Sequence, residues 1–145
     1  MKEDLSKYED DFFTFLEAGF IAINQADEDS AVKLLKVCQI LHPENPLIKT
    51  GLGYLHLHKL ELKAAADCFQ EVLKTHPDND MAQAFLGITL SLMPNKTSEG
   101  EKLLTTTLKN SSDSQIKKVA NTSLDFVERF VKKTPGPAEI KRKST

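Results

Sequence analysis

The sequence predicts an all-α protein built from helical hairpins that repeat at a fixed interval. Gly19, Gly53 and Gly87 recur at equal intervals of about 34 residues, a period typical of helical repeats. The chain has 145 residues with only six glycines and six prolines, so long helices meet few breaks. At 40% hydrophobic content, this length suits one domain with its own core.

The second unit, residues 46–79, gives the clearest pattern. Its apolar residues form two series at helical spacing on either side of a turn at 58–61. The series are Ile48, Leu52 and Leu55, and then Leu62, Ala65, Phe69, Val72 and Leu73. Pro43 and Pro77 each end a preceding helix, because proline restricts the residue before it. Asn45, and either Asn79 or Asp80, are expected to cap the helices that follow.

The other units follow the same plan with differences in their turns. In the first unit, about 12–45, helices are predicted at 10–24 and 29–41, with Asp27 or Asp29 capping the second. In the third unit, about 80–112, a helix at 80–92 is clear, but the segment MPNKTSEGEK is one residue longer than the period allows. Ser98 and Glu101 there form a predicted capping box for a helix from about 99 to 109.

The C-terminal part is predicted to close the repeats and then lose its fold. An amphipathic helix at 113–133 has the pattern of a terminal cap, which completes a repeat domain at 1–133. Residues 134–145 are basic, carry two prolines and lack core residues, so they are expected to be disordered.

Composition and spacing argue against several functional classes. A net charge of −2 gives no field that would gather nucleic acid, and no stretch is apolar and long enough to predict membrane insertion or a secretory signal. Cys38 and Cys68 lie at apolar helical positions, and the four histidines have no metal-ligand spacing. With no phosphate-binding glycine loop and no nucleophile motif, the sequence predicts neither a cofactor nor an enzyme.

Several of these residues match a known repeat pattern. The second unit supplies Leu52-Gly53, Ala65, Phe69 and Pro77. The first unit supplies Ala18-Gly19, Ala31, Leu35 and Pro43, and the third keeps Leu86-Gly87 before departing from the pattern. The arrangement resembles the tetratricopeptide repeat. The resemblance implies three helix-turn-helix repeats and a capping helix, wound as a short right-handed solenoid that binds protein partners.

The size, repeat number and apolar inner helices resemble more narrowly the small tetratricopeptide chaperones of bacterial type III secretion systems. The chaperones of the needle subunit are the nearest resemblance, and those of translocators come second. The resemblance implies a cytoplasmic protein that holds a self-polymerising helical subunit until export, often with a small co-chaperone. The implied partner is an amphipathic helix of a secreted needle-type subunit.

A partner groove is expected along the first helix of each unit, where such repeats line their inner surface. The predicted groove residues are Phe13, Leu16, Phe20, Ile23, Leu47, Tyr54, Leu57, Met81, Ala84, Ile88 and Leu92, with Thr50 and Ser91 at intervening positions. Their apolar character predicts a helix or extended apolar segment as ligand. It argues against an acidic peptide C-terminus, which needs paired basic donors.

Other interpretations of this surface stay open. The groove could be covered by the N-terminal segment, or by a second copy of the chain in a homodimer that pairs through Phe12, Phe13 and Phe15. A tetratricopeptide scaffold or adaptor fixed within a larger assembly, and a translocator chaperone, are the alternative functions.

Overall fold

The computed structural model describes residues 5–132, and within that range every regular element is a helix. The α-helices are α1 (Phe12–Asn24), α2 (Glu28–Leu41), α3 (Pro46–His58), α4 (Leu62–Thr75), α5 (Asp80–Leu92), α6 (Thr97–Asn110) and α7 (Ser114–Phe126). A 3-10 helix, Ser6–Asp11, precedes α1, and a π-helical turn, Val127–Val131, extends α7. The predicted all-α class is confirmed. The predicted disordered tail at 134–145 lies outside the described residues.

The helices keep a regular interval along the chain. The helices α1, α3, α5 and α7 begin at residues 12, 46, 80 and 114, so their starts are equally spaced by the period of the glycines. The second helices of the hairpins begin at residues 28, 62 and 97, so the last interval is one residue longer. The extra residue falls in the turn between α5 and α6, which has four residues instead of three, as the sequence predicted.

Neighbouring helices pack as hairpins. The closest packing is within the pairs α1 with α2, α3 with α4, and α5 with α6, and each predicted unit contains one such pair. Helix α4 also packs on α5, and α6 on α7, which joins the pairs into one body. No helix within residues 5–132 is both long and apolar enough to cross a bilayer.

Local chemistry sets the starts of α2, α3, α5 and α7, and the caps of the first three were predicted from the sequence. The Asp27 side chain accepts a hydrogen bond from the backbone N–H of Ser30 and so caps α2. Asn45 and Asn79 cap α3 and α5 in the same way. All three caps agree with the sequence prediction, and they resolve the two alternatives in favour of Asp27 and Asn79.

The predicted capping box at the start of α6 is wrong. Helix α6 begins at Thr97, and its N-cap residue Lys96 makes no side-chain cap bond. The hydroxyl of Thr97 instead donates to the Ser91 carbonyl at 3.1 Å, which holds the turn on the end of α5. This contact starts the helix early, so Ser98 lies inside its first turn. The carboxylate of Glu101 accepts a hydrogen bond from Lys132 Nζ.

Helix α7 carries a polar residue at the position where α3 and α5 carry glycine. Asn121 lies one repeat period after Gly87, in the register where α3 and α5 carry the glycines that contact their partner helices. Asn121 is exposed, so α7 offers no glycine against which another helix could pack there. In the segment predicted as the capping helix, Ile116, Ala120 and Val127 are buried, and Phe130 is 59% exposed.

Candidate functional site

A line of half-exposed apolar side chains runs across the first helices of the hairpins and on to α7. We call it the apolar strip, and it consists of Phe20 on α1, Tyr54 on α3, Phe85, Ile88 and Leu92 on α5, and Phe126 on α7. The ring centroids of Phe20 and Tyr54 lie 5.4 Å apart, and those of Tyr54 and Phe85 5.2 Å apart. The three aromatic rings therefore form continuous contacts from α1 to α5.

Tyr54 is the fixed centre of these contacts. Its hydroxyl donates a 2.6 Å hydrogen bond to Asn24 Oδ1 on α1, and the ring of His58 packs edge-on against it at 4.5 Å. Burial raises the pKa of the Tyr54 hydroxyl, while the hydrogen bond to Asn24 opposes this rise. The ring thus presents an apolar face whose orientation is set by neighbours on two helices.

The strip ends in an apolar cleft between α5 and α7. The cleft encloses about 240 Å³ and is lined by Ile88, Leu92, Thr122, Ser123, Phe126 and Val127. Phe126 is 47% exposed at this cleft, and its ring centroid lies 5.3 Å from that of Phe130. A partner side chain of leucine or phenylalanine size fits such a space, and burying it there is favourable.

The structure places the predicted groove residues in several different environments. Phe20, Tyr54, Ile88 and Leu92 lie on the apolar strip, and Met81 is half-buried elsewhere on α5. Leu47 and Leu57 are also half-buried against core clusters, as Phe20 and Tyr54 are, but they take no part in the ring contacts of the strip. Phe13 is 65% exposed and lies on α1, at the N-terminal end of the hairpins.

The remaining predicted groove residues are core residues, which corrects the prediction. Leu16 is 5% exposed, Ile23 is 1% exposed and Ala84 is 1% exposed. Leu16 and Ile23 belong to the clusters that join the first hairpin to α3. Helical periodicity alone predicted that these residues face the groove. An inner helix packs on two neighbouring helices, however, so little of its surface is left for a partner.

Thr50 and Ser91, which were predicted at groove positions, are buried as well. Each hydroxyl donates to a backbone carbonyl one turn earlier, Thr50 to Pro46 at 2.9 Å and Ser91 to Gly87 at 2.7 Å. These bonds satisfy the hydroxyls within their own helices, so neither residue needs contact with water.

Two members of the apolar strip were missed from the sequence. Ile88 lies one repeat period after Tyr54, and Phe85 lies one helical turn before Ile88. A search at the repeat period that starts from Tyr54 therefore finds Ile88 and not Phe85. Phe126 was assigned to the capping helix. It lies one repeat period after Leu92, so extending the register of the groove residues to α7 would have identified it.

Charged groups flank the strip at the turn between α3 and α4. Lys59 Nζ lies 2.8 Å from Glu28 Oε1 and 2.9 Å from Glu61 Oε1. The other carboxylate oxygen of Glu61, Oε2, lies 2.6 Å from His56 Nδ1. Glu28 and Glu61 raise the pKa of Lys59, and Lys59 and His56 lower that of Glu61. The charges pair with one another at this turn, next to the apolar surface.

Residues 5–132 contain no group of three or more His, Cys, Asp or Glu side chains that could hold a metal ion. Cys38 and Cys68 are free thiols, and burial raises the pKa of both, which disfavours the reactive thiolate. The feature with clear binding potential is the apolar strip.

Comparison with known proteins identifies no relative. No family model matches the chain, and no curated protein or solved structure matches it significantly.

Proposed function

We propose that this chain is a tetratricopeptide-repeat protein, with three helical hairpins and a capping helix in a short right-handed solenoid. The constant interval between the starts of α1, α3, α5 and α7 supports this arrangement. The glycines support it too, because a Cβ on Gly53 or Gly87 would lie within 3 Å of Phe69 or Leu104 on the partner helix. Small residues at these positions let paired helices approach closely.

The function we propose is that of a non-catalytic chaperone that holds an amphipathic helix of another protein. The observation that carries it is the apolar strip, which crosses three hairpin helices and ends in the cleft at Phe126. A helix presents apolar side chains at intervals of three and four residues, and it can place successive ones on Tyr54, Ile88 and Leu92. A row of partly exposed apolar side chains is typical of a surface that binds a partner.

The narrower proposal is that the partner is a self-polymerising helical subunit of a type III secretion system, held in the cytoplasm before export. A subunit that polymerises through the apolar face of its helix cannot do so while that face lies on the strip. Chain length, the number of hairpins and the apolar strip support this proposal. A fixed scaffold would use the same surface but would not release its partner.

The test is affinity capture from the source cell with tagged wild-type protein and three variants. Leu92→Glu and Phe126→Glu place a charge in the cleft, where it would be poorly hydrated. Ile40→Glu is the matched control, because Ile40 is 64% exposed on α2 and is not part of the strip. Circular dichroism establishes that each variant keeps its helices.

The proposal expects a small helical secreted subunit at near-equal amount with wild type and Ile40→Glu, and its loss with both cleft variants. The purified complex should keep that subunit monomeric by light scattering. Capture of a large, permanent assembly would favour the scaffold, and capture of a large membrane-active protein would favour the translocator chaperone. If both cleft variants captured the partner as well as wild type does, the proposed role of the strip would be contradicted.

A further inference from the structure

Within residues 5–132, no α-helix packs on the face of α1 at the N-terminal end of the hairpins. Each residue of this face of α1 corresponds to a residue one repeat period later on α3. Ile48 and Leu55 are buried there, in clusters with residues of the first hairpin. A Cβ on Gly51 would lie 2.9 Å from Leu35 Cδ2, so this residue also faces the first hairpin. This face of α3 is thus covered by the preceding hairpin.

On α1 the same positions are exposed. Ile48, Gly51 and Leu55 correspond to Thr14, Glu17 and Ile21, and Ile21 is 50% exposed. Phe13, one residue before Thr14, is 65% exposed. We call Phe13, Thr14, Glu17 and Ile21 the α1 end face. It differs from the opposite end of the array, where α7 carries the exposed polar residue Asn121.

The segment before α1 covers a different side of that helix. The ring of Tyr8 in the 3-10 helix packs edge-on against Phe15, with centroids 6.1 Å apart. Leu5 and Ser6 line a cavity with Ile40 and Leu41 of α2. With this segment in place, Phe13 is still 65% exposed and Ile21 is still 50% exposed.

The charge on the end face decides which occupant fits. Phe13, Glu17 and Ile21 are spaced four residues apart and form one stripe, and Glu17 has no ion-pair partner within residues 5–132. If two copies of the chain paired through this stripe about a two-fold axis, Glu17 would meet Glu17 of the other copy in a parallel pair, and also in an antiparallel pair whose stripes overlap fully. In the parallel pair Asp10 and Asp11 would add to the repulsion.

We propose that the α1 end face binds an amphipathic helix of a different protein, whose contact stripe carries a Lys or Arg between two apolar residues. The apolar residues, four positions before and after the basic one, pack on Phe13 and Ile21, and the basic side chain pairs with Glu17. The occupant is a helix because the same face of α3 is already covered by helices of this chain. The proposal does not depend on what the apolar strip binds.

Two designed peptides test this proposal with the full-length chain. Both are stable helices of about 18 residues, long enough to stay helical in isolation. They differ at one position, with a Leu-Lys-Leu stripe in one and Leu-Glu-Leu in the other. Fluorescence anisotropy should give at least about tenfold tighter binding of the Lys peptide by wild type, and Glu17→Lys should reverse that preference.

Matched variants locate the binding. Ile21→Asp should abolish binding of the Lys peptide, whereas Ile40→Asp, also at an exposed isoleucine, should leave it unchanged. Leu92→Glu, which damages the far end of the apolar strip, should also leave it unchanged. Loss of binding in Leu92→Glu would show that the peptide lies on the strip and would overturn the proposal.

Sedimentation in neutral buffer tests the competing occupant. Wild type should be monomeric, and Glu17→Leu should shift toward a dimer, because the like-charge repulsion is gone. A wild-type dimer that Ile21→Asp dissociates would identify a second copy as the occupant and overturn the proposal. Equal binding of the two peptides, or no binding of either, would overturn it as well.

Discussion

The ring of Phe69 lies against the bare backbone of Gly53. A Cβ atom built on Gly53 would be 2.5 Å from Phe69 Cε1, closer than real Cβ contacts come. Phe69 lies on α4 and is fully buried in a cluster with residues of α5, so its ring has little room to move away. The approach of α3 to α4 is therefore set by the absence of a side chain at residue 53.

We expect Gly53→Ala to lower the free energy of unfolding by about 1–3 kcal/mol, because the methyl group overpacks a filled site. Gly19→Ala is the control at the corresponding position of the first hairpin. A Cβ there would have Leu35 Cδ2 as its nearest neighbour, at an ordinary 3.6 Å. This variant should leave stability unchanged or raise it by up to about 1 kcal/mol, since alanine favours helix over glycine. Urea denaturation followed by circular dichroism measures both, and equal effects would contradict the packing described.

Much of the helical framework could be predicted from sequence because it depends on local chemistry. The proline at 43 ends α2, and Asn45 and Asn79 satisfy the first backbone N–H groups of α3 and α5. These signals act within a few residues and need no knowledge of the fold. The helices of the first hairpin, predicted at 10–24 and 29–41, lie within two residues of the bounds observed.

The candidate site was predicted less well, because it depends on which helices become neighbours. Leu16 and Ile23 have the helical phase of groove residues, yet α3 packs over them. The extra residue in the α5–α6 turn hid a second feature. Gly100 packs on Ser91 of α5 at the position of Ala65 on α4, but one residue beyond the repeat period. A search at a fixed period cannot find it.

The turn between α3 and α4 contains a residue in an unfavourable backbone conformation. Leu60 has a φ of 58°, in the left-handed region that favours glycine, and its side chain is 72% exposed. Leu60→Gly should therefore raise the free energy of unfolding by about 1 kcal/mol, because the Cβ clash disappears and few contacts are lost. Thermal denaturation measures the gain.

Leu60→Ala separates backbone strain from removal of an exposed leucine. It deletes most of the same side chain but keeps the Cβ atom, so its stability should change by less than about 0.5 kcal/mol. If Leu60→Ala and Leu60→Gly stabilised the protein equally, the backbone conformation would not be the cause.

The surroundings of Tyr54 predict a loss of stability in alkali. Burial raises the pKa of its hydroxyl in the folded chain, so folding favours the neutral phenol. The contribution is complete below the unfolded pKa of about 10 and is lost as pH rises through the higher folded value. Wild type should therefore lose stability above about pH 10 more steeply than Tyr54→Phe, which has no phenol at this position.

The chain's two tyrosines make this prediction directly measurable. The ultraviolet absorbance of phenolate reports both Tyr8 and Tyr54 in wild type but Tyr8 alone in Tyr54→Phe, and the difference isolates Tyr54. At neutral pH the variant should lose less than about 1 kcal/mol, because Asn24 is exposed and water replaces the lost donor. Parallel alkaline denaturation of the two proteins would mean that Tyr54 is solvated in the folded chain, and that it cannot be the fixed centre of the apolar strip.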